Sequence, residues 1–171
     1  QAELRKTIVF VTHDIDEAIK LGDRVAVMRV GGKLAQLADP KTLLAQPADD
    51  FVQEFLGRDR GIRRLQFVST DGLRLRTDLT VPEGSPAASP EPWVLEVTGD
   101  GRPVGWRTGE PGGRLEPYGA YRHGRDSMRA ALDAALLSPS GCAVALGDDG
   151  KVVGVATRQA LDEALAEAAD G

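Results

Sequence analysis

The sequence predicts an α/β (α+β) fold in two parts, the second built from a duplicated strand–turn–strand unit. Three observations predict it. "VLEVTGDGRPVGWRT", Val94–Thr108, can be laid on "AVALGDDGKVVGVAT", Ala143–Thr157, without a gap, at an offset of 49 residues. Short β-branched or alternating runs are interleaved with segments whose apolar residues recur at i, i+3 and i+4, one face of a helix. Between the halves, "GRDRGIRR", Gly57–Arg64, carries four arginines and two glycines with no apolar periodicity.

In chain order, Thr7–Thr12 (TIVFVT) reads as a short buried strand, β-branched and without alternation. Asp14 caps the following helix, with Glu17 three residues on as a capping box. Ile15, Ala18 and Ile19 form its apolar face, and Gly22 is expected to end it in a left-handed turn. Arg24–Val30 and Lys33–Ala38 flank Gly31-Gly32, a hairpin signal. Asp39-Pro40 supplies a cap and first-turn proline for a helix to Gln46. Asp49 or Asp50 starts another, bearing Phe51, Val52, Phe55 and Leu56 before Gly57. Residues 58–64 read as a linker, either a solvated hinge or an anion site.

Leu65–Val81 is expected to form strands around Asp71-Gly72, with Leu73, Leu75 and Leu79 alternating against charge. Pro82–Pro92, rich in proline and small residues, reads as an exposed or poorly ordered loop. The two matched hairpins follow the same plan of strand, Asp-Gly turn, strand and a threonine able to cap a helix. A fixed offset of this kind marks a duplicated unit whose halves bury their apolar faces together. The second copy keeps its helices. After Asp126 or Ser127 comes Met128, Ala131, Leu132, Ala135 and Leu136 at helical spacing, and after Thr157 come Ala160, Leu161, Ala164, Leu165 and Ala168. In the first copy "GEPGGRLEP", Gly109–Pro117, would not hold a helix, so the duplication is degenerate. The expected divisions are 1–57, a linker 58–64, a first repeat 65–114 and a second repeat 115–171.

Apolar residues make up 42% and charged residues 27% of the 171, ordinary values for a globular chain. No apolar run approaches the roughly 18–20 residues that cross a bilayer, and no signal-peptide order stands at the N-terminus. The net charge of −5 argues against nucleic acid as a partner. Cys142 is the single cysteine, which excludes an internal disulfide, and two histidines leave little for zinc.

His13 stands at the carboxyl end of the expected strand, beside a helix N-terminus, where an imidazole could meet a phosphate. A structural or surface histidine is the alternative for that residue alone. "VTHDIDEAIKLGDRVAVM", Val11–Met28, with "GGKLAQLADPKTLLAQPADDFVQEFLG", Gly31–Gly57, resembles the switch-histidine loop and C-terminal end of ATP-binding-cassette (ABC) transporter ATPases. The likeness is greatest to subunits that drive uptake of glycine betaine, choline, carnitine or proline. It implies that His13 is the switch histidine, which contacts the ATP γ-phosphate in the family. It also implies ATP and Mg²⁺ as cofactors of the whole subunit, membrane permease subunits as partners, and a cytoplasmic position at the inner face of the membrane. No G-x-x-x-x-G-K-[ST] loop, signature motif or Asp-Glu-ended apolar strand occurs in the sequence. The expectation is therefore a truncated ATPase domain in which His13 is inert and no ATP is hydrolysed. With its parallel neighbours missing, residues 1–57 are expected to be poorly ordered or paired across a dimer.

The second half resembles a tandem pair of CBS domains, well over Asp126–Leu165 and more weakly over Leu65–Thr108. The resemblance implies a homodimer, and an adenine nucleotide or cyclic di-AMP in the clefts between copies. It places Thr108, Thr157 and Arg158 as cleft residues, the threonines having helix capping as their alternative. The aspartate that follows the threonine by three residues in ligand-binding copies is here Pro111 or Ala160. "YRHGR", Tyr121–Arg125, could meet a phosphate or be a solvated loop, while Trp93 and Trp106 read as packing anchors.

Overall fold

A computed structural model describes residues 6–57, 59–85, 91–108 and 113–170, with side chains as far as 167. It divides into two compact units, Gln1–Arg64 and Leu65–Gly171.

In the first unit Asp14 starts helix α1, Ile15–Leu21, by accepting the amides of Asp16 at 2.8 Å and Glu17 at 3.3 Å. The capping box does not close as expected. Glu17 instead accepts the Thr12 hydroxyl, and that hydroxyl accepts the Asp14 N–H. Gly22 ends the helix at φ −89°, so no left-handed turn forms; a Cβ there would stand 2.8 Å from the Ala18 carbonyl oxygen. Strands β1, Val25–Arg29, and β2, Lys33–Ala38, pair antiparallel around Gly31 and Gly32, whose φ values of +82° and +75° suit a tight hairpin turn. Asp39 caps α2, Pro40–Ala45, and Asp49 caps α3, Asp50–Leu56. Ile19, Val25, Val27, Leu43, Leu44, Val52 and Leu56 make one core.

Two sequence expectations fail here. Thr7–Thr12 forms no strand, and Ile8, Val9, Phe10 and Val11 are 60, 86, 56 and 88% exposed. A strand needs a neighbour for its N–H and C=O groups, and the described sheet of this unit contains β1 and β2 alone. The linker is in part a helix, α4, Arg60–Arg64, without a buried residue. Arg63 holds it by donating to the Leu56 carbonyl at 2.7 Å and pairing with Asp16 and Asp59. Charge rather than apolar periodicity makes this turn of helix, which hides it from a hydrophobic pattern.

The second unit contains two three-stranded sheets of one design. β3, Thr80–Pro82, lies parallel to β4, Trp93–Val97, which lies antiparallel to β5, Pro103–Thr108. β6, Ala120–Arg122, β7, Ala143–Leu146, and β8, Val152–Ala156, repeat the order. Registers repeat as well. Leu95 faces Trp106, Glu96 faces Gly105 and Val97 faces Pro103 after a bulge; 49 residues on, Val144 faces Val155, Ala145 faces Gly154 and Leu146 faces Val152 after the same bulge. Gly101 and Gly150 turn the hairpins at φ +84° and +74°.

The approach to each sheet crosses to the other copy. Arg76, four residues before β3, exchanges both backbone hydrogen bonds with Val155 of β8. Glu116, four residues before β6, does the same with Trp106 of β5. Contacts of the form A-to-B and B-to-A are the signature of a twofold relation. They also explain the recurring glycines, because a Cβ on Gly105 would meet the Glu116 carbonyl oxygen at 2.9 Å and one on Gly154 the Leu75 Cβ at 2.7 Å. Leu79, Leu95, Trp106, Val144 and Val155 form the shared core between the copies.

This crossing corrects the reading of Leu65–Val81 as strands around Asp71-Gly72. Leu65–Phe67 is a 3₁₀ turn, and Ser69 and Arg76 find their partners in Ser127 and Val155. Helix α5, Met128–Leu136, covers the second sheet with Met128, Ala131, Ala134 and Ala135 buried. Leu136, expected on that face, is 79% exposed, and Ala134 takes the place. Helix α6, Arg158–Asp170, adds Leu161 to the same core, while the side chain of Ala168 lies outside the described residues. In the first copy β3 passes to β4 with no described helix between them; residues 86–90 of the expected loop lie outside the described residues.

Candidate functional site

The residues singled out in the sequence lie on different elements of the two units. His13 is exposed, in the first unit, between the Thr12 hydroxyl contacts and the Asp14 cap. Thr108 is the exposed last residue of β5, and its carbonyl accepts from Arg107 Nη1 at 3.2 Å. Thr157 caps α6: its hydroxyl accepts the Ala160 N–H at 3.3 Å and its carbonyl the Leu161 N–H at 3.0 Å. Arg158 is exposed at the first position of that helix. Pro111 lies outside the described residues.

What does converge is the N-terminus of α5 with the segment that opens the second unit. Met128 N–H donates to the Val68 carbonyl at 2.9 Å, and Ser69 bridges Ser127. The fully buried Thr70 ties the two segments together, its hydroxyl donating to the Asp126 carbonyl and accepting the Gly124 N–H, each at 3.0 Å. Gln66, Phe67, Val68 and Ser69 then face Gly124–Ser127 and Ala130 across an open groove of about 540 Å³.

The groove presents polar groups suited to an anion. The Ser127 side chain makes no capping hydrogen bond, and the first turn of a helix offers N–H groups without intrahelical partners. Arg125 stands at the lip, paired with Asp148 at 2.8 Å, both side chains exposed. Such a pair contributes about 0–1 kcal/mol, so an incoming phosphate could take the guanidinium at little cost. Of the groove residues, the sequence had flagged Tyr121–Arg125 for phosphate and Ser127 as a cap. Gln66 and Ser69 carried no signal, because only the crossing of Leu65–Thr70 onto the second copy brings them there.

Inside the second copy the Tyr121 hydroxyl is buried with no hydrogen-bond partner, and burial pushes its pKa upward, so it stays neutral. Burial likewise raises the Cys142 thiol, with smaller opposing contributions from Ser140 and the Arg158 amide. A thiol so placed is a poor nucleophile. Trp106 is fully buried in the shared core, as a packing anchor should be, although its indole N–H has no partner. Among the described residues no cluster of three or more His, Cys, Asp or Glu side chains could hold a metal ion.

No protein-family model matches the chain. The osmoprotectant import ATP-binding protein OsmV of Salmonella typhimurium is 40% identical over 121 residues, covering 62% of this chain and 30% of that protein. The glycine betaine/carnitine/choline transport ATP-binding protein OpuCA of Bacillus subtilis is 45% identical over 82 residues, 47% of this chain and 21% of that protein. The glycine betaine/proline betaine transport system ATP-binding protein ProV of Salmonella typhimurium is 32% identical over 157 residues, 92% of this chain and 36% of that protein. The chain thus spans between 21% and 36% of the length of these relatives. Among solved structures, the CBS-pair protein CBSX2 from Arabidopsis thaliana has a TM-score of 0.48 at 12% identity, covering 61% of this chain and 98% of that one. The cystathionine beta-synthase pair domain of the putative Mg²⁺ transporter SO5017 from Shewanella oneidensis has a TM-score of 0.42 at 16% identity, covering 73% and 83%. The two-copy architecture stands on the strand registers and reciprocal crossings, independently of these scores. The homologues of this chain are ATP-binding subunits of osmoprotectant ABC transporters.

Proposed function

We propose that this chain is the regulatory C-terminal part of the ATP-binding subunit of an osmoprotectant importer for glycine betaine, choline, carnitine or proline. The observation that carries the reading is that similarity to the ProV relative runs through 92% of the chain, across both units. In this reading His13 serves as the switch histidine of the complete subunit, where ATP and Mg²⁺ would be held by residues outside this sequence. Its exposure leaves the imidazole free to reach a γ-phosphate presented from elsewhere. The second unit acts as a CBS-type pair that senses ionic strength or an adenine nucleotide, cyclic di-AMP included, and shifts a two-state equilibrium of the transporter. The groove at the N-terminus of α5 takes the phosphate. Thr157 contributes as a cap, and Thr108 and Arg158 remain secondary. The subunit would sit at the cytoplasmic face with membrane permease subunits and a second copy as partners. No helix among the described residues is long and apolar enough to cross a membrane itself.

Calorimetry with ATP, AMP and cyclic di-AMP tests the sensing arm. Saturable binding of one of them, weakened by Arg125→Ala, is expected; silence for all three, with no response to salt, would overturn it. The chain as it stands should not turn over ATP, and Mg²⁺-dependent hydrolysis by the purified chain would defeat that part of the reading. A second reading, a ligand-free dimerisation module, is favoured by Ala160 standing where a ribose-binding aspartate is expected and by the use of Thr157 as a helix cap. Scattering over a concentration series separates the two, since a dimer indifferent to ligand and salt favours the second.

A further inference from the structure

We infer that the buried Glu96–Arg107 pair is a clasp that seals the Gly84–Ser85 turn onto the sheet of the first repeat, so that of the two equivalent turns only that of the second is free to take a ligand. The inference rests on the registers. Glu96 and Arg107 of β4 and β5 hold the positions of Ala145 and Ala156 in β7 and β8. Those two alanines lie fully buried in the core that α5 and α6 complete. Two methyl groups leave room for a helix to settle on the sheet. In the first repeat no described helix settles there, and the same two positions carry a carboxylate and a guanidinium. Their side chains are nonetheless only 8% and 1% exposed, joined Nε to Oε1 at 2.6 Å.

The same pair also grips one turn of backbone. Glu96 Oε2 accepts the Gly84 N–H at 3.1 Å, and Arg107 Nη2 donates to the Ser85 carbonyl at 3.0 Å. That turn is itself the counterpart of the groove-forming turn in the second repeat. Glu83 N–H donates to Val97 as His123 N–H donates to Leu146, and Gly84 at φ +68° matches Gly124 at +74°. The difference lies in what grips the glycine amide. Gly124 is held by the Thr70 hydroxyl, which leaves Arg125 and Ser127 facing the groove. Gly84 is held by the Glu96 carboxylate, with Ser85 drawn onto Arg107. A charged pair desolvated to this degree stays closed only while each partner remains satisfied, so the turn and the pair hold one another in place.

The test is amide hydrogen exchange by NMR on the whole chain, with AMP titrated in parallel. In the wild type the Gly84 and Gly124 amides should both be protected, and Arg107→Ala should speed Gly84 exchange at least about tenfold while Gly124 stays within about twofold. Should R107A fail to fold, E96Q serves: the amide oxygen can still accept from Gly84 but the charge is gone, and a smaller acceleration confined to residues 83–85 is expected. Unprotected Gly84 in the wild type, or equal loss of protection at Gly84 and Gly124 in the variants, would overturn the clasp. Two equivalents of bound AMP per wild-type chain would overturn the seal. This inference deepens the nucleotide reading above but can be told apart from it: protected, Arg107-dependent Gly84 with no AMP binding would sustain the clasp and count against nucleotide sensing.

Discussion

The two repeats of the second unit share strand order, register, bulge position and turn glycine, yet they close their sheets by opposite means. The second repeat puts alanine at 145 and 156 and lays α5 and α6 over them, so apolar contact supplies the cover. The first puts Glu96 and Arg107 at those positions and covers them with a hydrogen-bonded turn. The comparison teaches that a duplicated unit can lose a helix without leaving its sheet bare, provided the side chains beneath become long enough to reach the chain that remains. It also separates two kinds of stability. Apolar cover tolerates partial loss in proportion to area, about 25 cal/mol per Å². A buried ion pair does not degrade gradually, because removing one partner strands the other.

Arg107→Ala should break the comparison hardest. It strands Glu96 at 8% exposure and should destabilise the second unit by about 3–5 kcal/mol in denaturant unfolding. The double change Glu96→Ala with Arg107→Ala, which copies the second repeat's residues, should cost less than Arg107→Ala alone; a double variant weaker than the single would mean the pair is not coupled. Gly154→Ala comes next, since its Cβ would press on Leu75 at 2.7 Å. Overpacking of this kind costs typically about 1–3 kcal/mol, read as a lower denaturation midpoint. Equal tolerance of alanine at Gly154 and at the exposed turn residue Gly72, where nothing lies within 4 Å, would deny the close crossing.

Thr70→Val keeps the shape and removes the hydroxyl that serves Gly124 and Asp126. With those groups left unpaired the cost should be about 1–3 kcal/mol, accompanied by faster Gly124 exchange and unchanged Gly84 exchange. That outcome would sharpen the contrast between the two grips.

The smallest effect concerns the first unit and pH. Backbone N–H groups of Thr42 and Val52 hold the Asp39 and Asp49 carboxyls below their usual value of 3.8. Carboxyls lowered in the folded state stabilise it above that value and lose the contribution as pH falls through the folded one. Acid titration of Asp39→Asn with Asp49→Asn should therefore show a flatter loss of stability below about pH 4 than the wild type. Parallel acid curves for the two proteins would count against these caps.

Legibility in the sequence varied with the range of the interaction. The caps at Asp14, Asp39 and Asp49, the Gly31-Gly32 hairpin and the duplicated Asp-Gly hairpins were all readable, because each is settled within a few residues of chain. Thr7–Thr12 was misread because β-branched composition describes a strand's preference and says nothing about whether a neighbour is present. Leu65–Val81 was misread for a related reason: its leucines alternate as strand residues should, but the backbone partners of Ser69 and Arg76 lie in the other copy rather than across Asp71-Gly72. Of the candidate site, Arg125 and Ser127 were visible in a local motif. Gln66, Ser69 and Thr70 were not, since nothing near them in sequence announces the groove.

The amino-acid sequence by itself determined where α1, α2, α3 and α6 are capped, where the hairpins turn, and that one supersecondary unit occurs twice at a fixed offset. Those features depend on torsion preferences and hydrogen bonds that reach only a few residues. Tertiary structure alone decided that the approaches to β3 and β6 exchange copies, that Glu96 and Arg107 do in one repeat what two helices do in the other, and that a groove opens beside α5. Burial and long-range pairing are properties of the assembled chain: a glutamate and an arginine eleven residues apart become a closed, buried pair only when the sheet and its turn are already in place.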